Sequence, residues 1–231
     1  MNIAIVLSGG TGTRLGGDIP KQYVEVGGKP IIVYSLEPLT KSKYIDKIQI
    51  VAEETWVSTI EKWAKDFALE DKIAGYSKPG VNRQLSIYNG LKDVADFAGD
   101  ESFVMIHDAA RPNLTEDIIS KSIEAMDGYD GVIPVLPMKD TVYLSKDGKQ
   151  IDSNLKREEI FAGQAPETFV LGKYLAANES LVESGKILKI NGSTEPAIIA
   201  GMKMHMIDGD EGNYKITTKD DLERFIEQIR R

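Results

Sequence analysis

The chain alternates between two apolar patterns. Short unbroken apolar runs are bounded by polar turns. Between them lie longer segments whose apolar residues recur every three or four positions. The first pattern reads as buried strands, the second as amphipathic helices. Ile3 to Leu7 is the first predicted strand. After the turn Gly28-Lys29-Pro30, Ile31 to Leu39 reads as a short helix, and Ile45 to Val51 contains the second strand. Glu53 to Phe67 is a helix, with Trp56, Ile60, Trp63, Ala64 and Phe67 at i, i+4, i+7, i+8 and i+11. That spacing puts both tryptophans on the core face, in preference to a base-stacking role. Lys72 to Tyr76 is a third strand, and the next helix runs to Ala95 with Asn82 as its N-cap. Its apolar face is Ile87, Tyr88, Leu91, Val94 and Ala95. Phe103 to Ile106 is a strand, Thr115 caps a helix through Met126, and Gly131 to Val135 is a strand.

The alternation then weakens. Thr141 to Ser145, the turn Lys146-Asp147-Gly148-Lys149 and Gln150 to Asn154 predict a β-hairpin within an excursion over 139–161. Glu159 to Phe169 returns the chain to the sheet, and Leu171 to Val182 is helical. Ser193 to Ala200 is helical with Pro196 in its first turn, and Lys203 to Ile207 is a strand. Thr218-x-x-Asp221 opens a last helix as a capping box, with Leu222, Phe225, Ile226 and Ile229 as its apolar stripe. Strand and helix alternate through most of the chain. The expectation is α/β: one domain over 1–231 with a mainly parallel sheet, helices on both faces and one protruding hairpin.

Composition narrows the function. With 231 residues, 42% hydrophobic and 28% charged, the chain is ordinary for a globular protein with a sizeable core. No apolar run approaches a membrane span, and a strand starting at Ile3 is expected to leave no room for a signal peptide. Cysteine is absent, which removes thiolate chemistry and fits the cytoplasm. A net charge of −8 argues against nucleic acid. A phosphorylated small substrate would then need a local basic cluster, for which Arg14, Lys21, Arg83, Arg111, Arg157 and Lys215 are the candidates.

Two stretches carry chemistry. The first strand empties into a loop with Gly9, Gly10, Gly12, Gly16 and Gly17, together with Arg14 and Lys21. Small residues let backbone N–H groups approach an anion, and a loop at the carboxyl end of a first strand is where open α/β sheets bind ligands. It is not a P-loop, because no Gly-Lys-Ser/Thr occurs. It is not a dinucleotide fingerprint, because Leu15 stands where the third glycine belongs. The plain alternative is a flexible surface loop. The second stretch is His107-Asp108-Ala109-Ala110-Arg111-Pro112. A carboxylate just past a buried strand suits a ribose hydroxyl or magnesium, and the alternative is a turn in which Asp108 pairs with Arg111. His107 reads as structural. Arg83 and Ser86, three apart at a helix start, can both face the loop end of the sheet. An arginine there opposes the helix dipole, which points to a task other than stability; a solvated side chain is the alternative.

GGTGTRLG followed by PKQY, with HDAARP, resembles the cytidylyltransferases that act on methylerythritol phosphate and ribitol phosphate, over nearly the full length. The resemblance implies a Rossmann-like nucleotidyltransferase domain whose hairpin arm forms a homodimer. It implies CTP, Mg2+ and a polyol phosphate as ligands, with neither nucleic acid nor membrane as partner. By it, Ser8, Gly9, Gly10, Gly80, Arg83 and Ser86 lie near the nucleotide. Arg14, Lys21 and Lys215 are the cations at the reacting phosphates, and Asp108 is the ribose and metal contact. Thr141 and Arg157 hold the acceptor phosphate, with Arg157 reaching across the dimer. Without the resemblance, those two would read as hairpin surface.

Some positions depart from the family. Ala165-Pro166-Glu167 stands for its usual Thr-Pro-Gln, Ser193-Thr194-Glu195 for an acidic Thr-Asp pair, and Val81 for an acidic residue. The first two changes, and the GGTGTR form of the loop, tilt the expectation to ribitol 5-phosphate of cell-wall or capsule synthesis over the isoprenoid substrate. Two other classes are weighed: a glycosyltransferase using Asp208-Gly209-Asp210 as a metal motif, and a nucleotide-binding regulator without turnover.

Overall fold

In the computed structural model, which describes residues 1–10, 19–190 and 192–230, the apolar run after Met1 forms β1 (Asn2–Leu7). A small antiparallel ribbon follows, β2 (Glu25–Val26) with β3 (Lys29–Pro30). It turns on Gly27 and Gly28 at φ 60° and 78°, a left-handed pair that glycine adopts freely. The sequence pattern predicts only the turn here. Next come α1 (Ile31–Lys41), β4 (Lys47–Val51), α2 (Glu54–Asp66), β5 (Ile73–Ser77), α3 (Arg83–Ala95) and β6 (Phe103–Asp108). They are followed by α4 (Glu116–Glu124), β7 (Gly131–Pro137) and the hairpin β8 (Tyr143–Leu144) and β9 (Ser153–Asn154). The chain continues through β10 (Phe161–Gly163), β11 (Glu167–Val170), α5 (Leu171–Glu183), α6 (Glu195–Ile199), β12 (Met204–Asp208) and α7 (Lys219–Arg230).

The main sheet runs β5-β4-β1-β6-β11-β7-β12. β5, β4, β1 and β6 are mutually parallel, as are β7 and β12. β11 lies antiparallel between β6 and β7. β10 also runs antiparallel to β7, with Gly163 opposite Val135 and Thr168 opposite Val132. Five steps along one strand thus meet three along the other, and the surplus is taken up around the cis Ala165–Pro166 bond. The mainly parallel sheet is present, with these two reversed strands inside it.

Alternate residues of β1 feed two cores, as a strand buried on both faces requires. Ala4 and Val6 pack with α1, α2 and α4; Ile3 and Ile5 pack with α3, α5 and α6. Trp56 and Trp63 join the first core around Tyr23, with ring centroids 4.2 and 5.8 Å from it, so their core-facing assignment holds. The caps form as read. Asn82 Oδ1 accepts from Leu85 N at 2.8 Å, and the amide of Asp221 donates to Thr218 Oγ1 while its carboxylate accepts from Thr218 N.

Succession along the sheet places the site. From β1 the chain steps outward through β4 to β5, then crosses back to β6 on the other flank of β1. The order reverses between β1 and β6, and open α/β sheets bind ligands beyond the carboxyl ends of such a pair. No helix among the described residues is long and apolar enough to cross a membrane.

Candidate active site

A cavity of about 470 Å³ opens at that reversal, walled by Gly9, Gly10, Lys21, Gly80, Arg83 and Ser86, with Asp108 and Lys215 also facing it. Each wall has a local cause. Gln22 is buried and donates from Nε2 to the carbonyls of Ser8 at 2.6 Å and Gly10 at 2.7 Å. Tyr23 OH accepts from Ser8 Oγ at 2.7 Å and donates to Ser8 O at 3.0 Å. The Lys-Gln-Tyr turn is thereby clamped beneath the loop leaving β1, and its first residue, Lys21, is delivered to the cavity wall.

The opposite wall needs glycine. A Cβ on Gly9 would lie 2.4 Å from Pro79 Cβ, and one on Gly80 would lie 2.3 Å from Leu85 Cβ and 2.7 Å from the Leu85 carbonyl carbon. The loop after β1 therefore lies directly on the Pro79 ring of the loop after β5, and Gly80 lies directly on the first turn of α3. Gly80 N donates to Ser86 Oγ at 3.0 Å, and that hydroxyl donates to Asn82 O at 2.9 Å, so Ser86 ties the loop to the first turn of α3.

The floor is a charge cluster. Arg83 Nε donates to Asp108 Oδ1 at 3.3 Å, Lys215 Nζ lies 3.0 Å from Oδ2, and Arg111 Nε lies 3.6 Å from Oδ2. Burial alone would push the Asp108 pKa up. The three cations outweigh it and hold this carboxyl far below the usual carboxylate range, ionised at any working pH. The same pairing raises the Arg83 pKa against the cost of its burial. Arg111 NH1 also donates to Asn213 O at 2.7 Å, and Asn213 Nδ2 donates to Ala165 O at 2.8 Å, which anchors the segment carrying Lys215. His107 is fully buried, and burial pushes its pKa down to about 4. Its Nε2 lies 3.2 Å from the Arg111 carbonyl, an oxygen that can only accept, so Nε2 carries the proton and the ring is a neutral strut. The turn alternative for Asp108 and Arg111 is thus present too, inside the larger cluster.

The structure brings together Gly9, Gly10, Lys21, Gly80, Arg83, Ser86, Asp108 and Lys215 around one cavity. Ser8 lies beneath it with its hydroxyl, amide and carbonyl all engaged internally. Arg14 lies outside the described residues, as do Gly12, Gly16 and Gly17. Thr141 and Arg157 are exposed on the hairpin excursion and do not wall the cavity; Arg157 NH1 donates to Lys139 O at 3.0 Å. Asp210, of the DxD alternative, caps its own turn by accepting from Gly212 N at 2.7 Å and is likewise no part of the cavity. Sequence reasoning missed the roles of Gln22, Asn213 and Glu167. Glu167 is buried with its Oε2 3.7 Å from Arg83, and Ser193 Oγ donates to its Oε1. Burial raises its pKa, opposed by Arg83 and Ser193.

Comparison with known proteins agrees with this geometry. The family model of 2-C-methyl-D-erythritol 4-phosphate cytidylyltransferase, IspD, matches residues 2–229. A ribitol-5-phosphate cytidylyltransferase of Streptococcus agalactiae serotype V is 31% identical, covering 97% of this chain and 93% of that protein. A 2-C-methyl-D-erythritol 4-phosphate cytidylyltransferase of Geotalea uraniireducens is 30% identical, covering 98% and 97%. The crystal structure of 4-diphosphocytidyl-2C-methyl-D-erythritol synthase from Anaerococcus prevotii superposes with a TM-score of 0.85 at 26% identity, covering all of this chain and 96% of that one. With a match over almost every residue, a cavity at the sheet reversal and cations converging on it, this chain belongs to the IspD family and is an enzyme of the cytidylyltransferase class.

Proposed function

We propose that the cavity binds CTP and that the enzyme transfers CMP to ribitol 5-phosphate or a similar polyol phosphate, giving a CDP-polyol and pyrophosphate. The observation that carries this is the convergence of Lys21, Arg83 and Lys215, from three remote stretches, on a cavity whose floor holds the ionised carboxylate of Asp108. Gly9, Gly10, Gly80, Arg83 and Ser86 hold the nucleoside. Lys21 and Lys215 face the phosphates, and the family resemblance gives Arg14 the same task. An acceptor phosphate oxygen attacks the α-phosphorus, its new P–O bond forms as the bond to the bridging oxygen breaks, and pyrophosphate leaves. A phosphate dianion is already a nucleophile, so a strong general base is not needed. Rate comes from positioning and from cations fixed around the charge that develops on the transferring group.

Among the described residues no cluster of three or more metal-ligating side chains occurs. Mg2+ commonly takes one carboxylate plus substrate phosphates, and an ionised Asp108 beside the triphosphate fits that donor set. When bound, Mg2+ would neutralise phosphate charge.

For the acceptor, Ala165 and Glu167 in place of Thr and Gln support a polyol phosphate. A second reading, 2-C-methyl-D-erythritol 4-phosphate, is favoured by the matching family's description. The relatives so named differ by one part in a hundred in identity. One extra methylene in an apolar pocket separates two substrates by only about 1–3 kcal/mol. The hairpin exposes Tyr143, Leu144 and Ile151, at 53%, 45% and 65%, an apolar tip suited to a second copy of this chain in a homodimer. A cytoplasmic setting fits the cysteine-free sequence.

The test is pyrophosphate release with CTP and Mg2+ against ribitol 5-phosphate, 2-C-methyl-D-erythritol 4-phosphate and other alditol phosphates. Turnover with ribitol 5-phosphate is expected. Turnover with only the methylerythritol compound selects the second reading. No turnover with any acceptor overturns the substrate assignment.

A further inference from the structure

Arg83 stands between two carboxylates. Glu167 on β11 lies opposite Ile106 on β6, two positions before Asp108. Residues two apart on a strand share a face, so Asp108 and Glu167 both rise toward the start of α3, where Arg83 is the first helical residue. Its NH2 lies 3.3 Å from Asp108 Oδ1 and 3.7 Å from Glu167 Oε2.

The two carboxylates are supplied unequally. Asp108 holds Arg83, Arg111 and Lys215 within 3.6 Å. Glu167, 8% exposed, is held through Oε1 by Ser193, while its buried Oε2 accepts no hydrogen bond from the described residues. A ligand hydroxyl that donates to Asp108 Oδ1 competes there with Arg83, which approaches that oxygen through both Nε and NH2. Among the described residues, neither Arg111 nor Lys215 has a second carboxylate within 4.0 Å. Arg83 has one, already oriented and short of a partner.

We propose that Glu167 is a positioning residue that receives the Arg83 guanidinium when nucleotide binds. Arg83 moves from Asp108 Oδ1 onto Glu167 Oε2, and the freed Asp108 oxygen accepts a ribose hydroxyl. Charge is conserved within the cluster: one buried carboxylate gains a cation as the other gains a neutral donor. A glutamine cannot take this part, because its amide offers no negative charge to the guanidinium. Glutamine is what the family resemblance places here, so the device departs from the family's usual pattern. The inference rests on CTP occupying the cavity as proposed above.

The experiment measures equilibrium binding of CTP and of 2′,3′-dideoxy-CTP to the wild-type chain and to Glu167→Gln, with melting temperatures alongside. The expected result is a ~10-fold loss of CTP affinity in the variant, the scale of one charge-assisted contact, with dideoxy-CTP bound equally by both proteins. Equal loss for both nucleotides means general damage to the pocket and overturns the proposal, as does unchanged CTP affinity. Ser193→Ala releases Oε1 and is expected to show the same hydroxyl-selective loss at smaller size; it decides the matter if Glu167→Gln does not fold. A wild-type protein that binds no CTP removes the substrate assignment itself, and this inference with it, which is a different outcome from wild-type binding with an indifferent variant.

Discussion

Beyond the ends of β1 and β6, polar side chains are buried and wired to partners far along the chain. Gln22 holds the loop after β1, Arg111 reaches Asn213, and Asp108 gathers Arg83 and Lys215. In the hairpin between β7 and β10 the reverse holds. β8 and β9 pair only with each other, Thr141 and Arg157 are exposed, and Arg157 is tied to the main-chain oxygen of Lys139. The two regions carry the two halves of the proposed chemistry, nucleotide and acceptor. A side chain whose neighbours come from its own chain has its geometry set at folding. Thr141 and Arg157 stand apart from the cavity, so in the proposed chemistry it is a second copy of this chain that brings them to an acceptor.

The sharpest way to break that contrast is Lys21→Ala. If the nucleotide half is complete within one chain, removing a cation from its wall lowers turnover about 10²–10³-fold, the scale of losing one preorganised charge contact. The melting temperature should move by no more than a few degrees, since Lys21 sits at the cavity wall outside the apolar core. Near-normal turnover would remove Lys21 from the mechanism.

A second test uses acid on the wired half. His107 is neutral when folded, with a pKa near 4 against 6.5 for the free side chain. Between those values the unfolded chain binds a proton that the folded chain refuses. The stability contributed by a neutral His107 is whole above about pH 6.5 and is lost as pH falls toward 4, by about 3 kcal/mol at most. Glu167 acts in the opposite sense, because burial raises its pKa and the folded state takes up its proton first. The variant comparison therefore isolates the effect. Urea unfolding at a series of pH values should show this loss in the wild-type chain relative to His107→Gln. Parallel curves for the two proteins would refute a neutral, buried His107.

What was legible in the chain follows from how local each signal is. β1 is an unbroken apolar run, α3 has its own cap in Asn82, and α7 has the Thr218–Asp221 box, so each could be read from a few adjacent residues. The reversed strands β10 and β11 could not, because direction in a sheet is decided by pairing with β7, some thirty residues away in sequence. The hairpin was read with five-residue strands and forms two-residue ones, since no third strand or helix extends its ladder. Within the site, Asp108 and Lys21 were found through motifs. Glu167 was noticed only as a departure from a motif; a carboxylate is rarely buried, and what pays for its burial is Arg83, on another element. Gln22 and Asn213 act by donating to remote backbone oxygens, which leaves no pattern in the sequence.

The smallest expected effect tests the exposed half most directly. Arg157→Ala should leave CTP affinity unchanged and raise KM for the acceptor ~10-fold, as loss of one charged phosphate contact does. Whether that contact serves its own cavity or a neighbour's can be separated by mixing. Lys215→Ala is defective in the wired half and Arg157→Ala in the hairpin. If the hairpin reaches into a partner's cavity, a mixed dimer contains one doubly defective site and one site with both residues intact. Random exchange makes half the dimers mixed, so an equal mixture should recover about one quarter of wild-type activity per site. If Arg157 serves its own chain, each site keeps one defect and the mixture gives only the mean of the two variants. Recovery above that mean, measured at an acceptor concentration below the raised KM, assigns the hairpin to the partner. An unimproved mean, with exchange verified by a tagged subunit, returns Arg157 to its own chain and makes the apolar tip formed by Tyr143, Leu144 and Ile151 a surface without a share in the acceptor site.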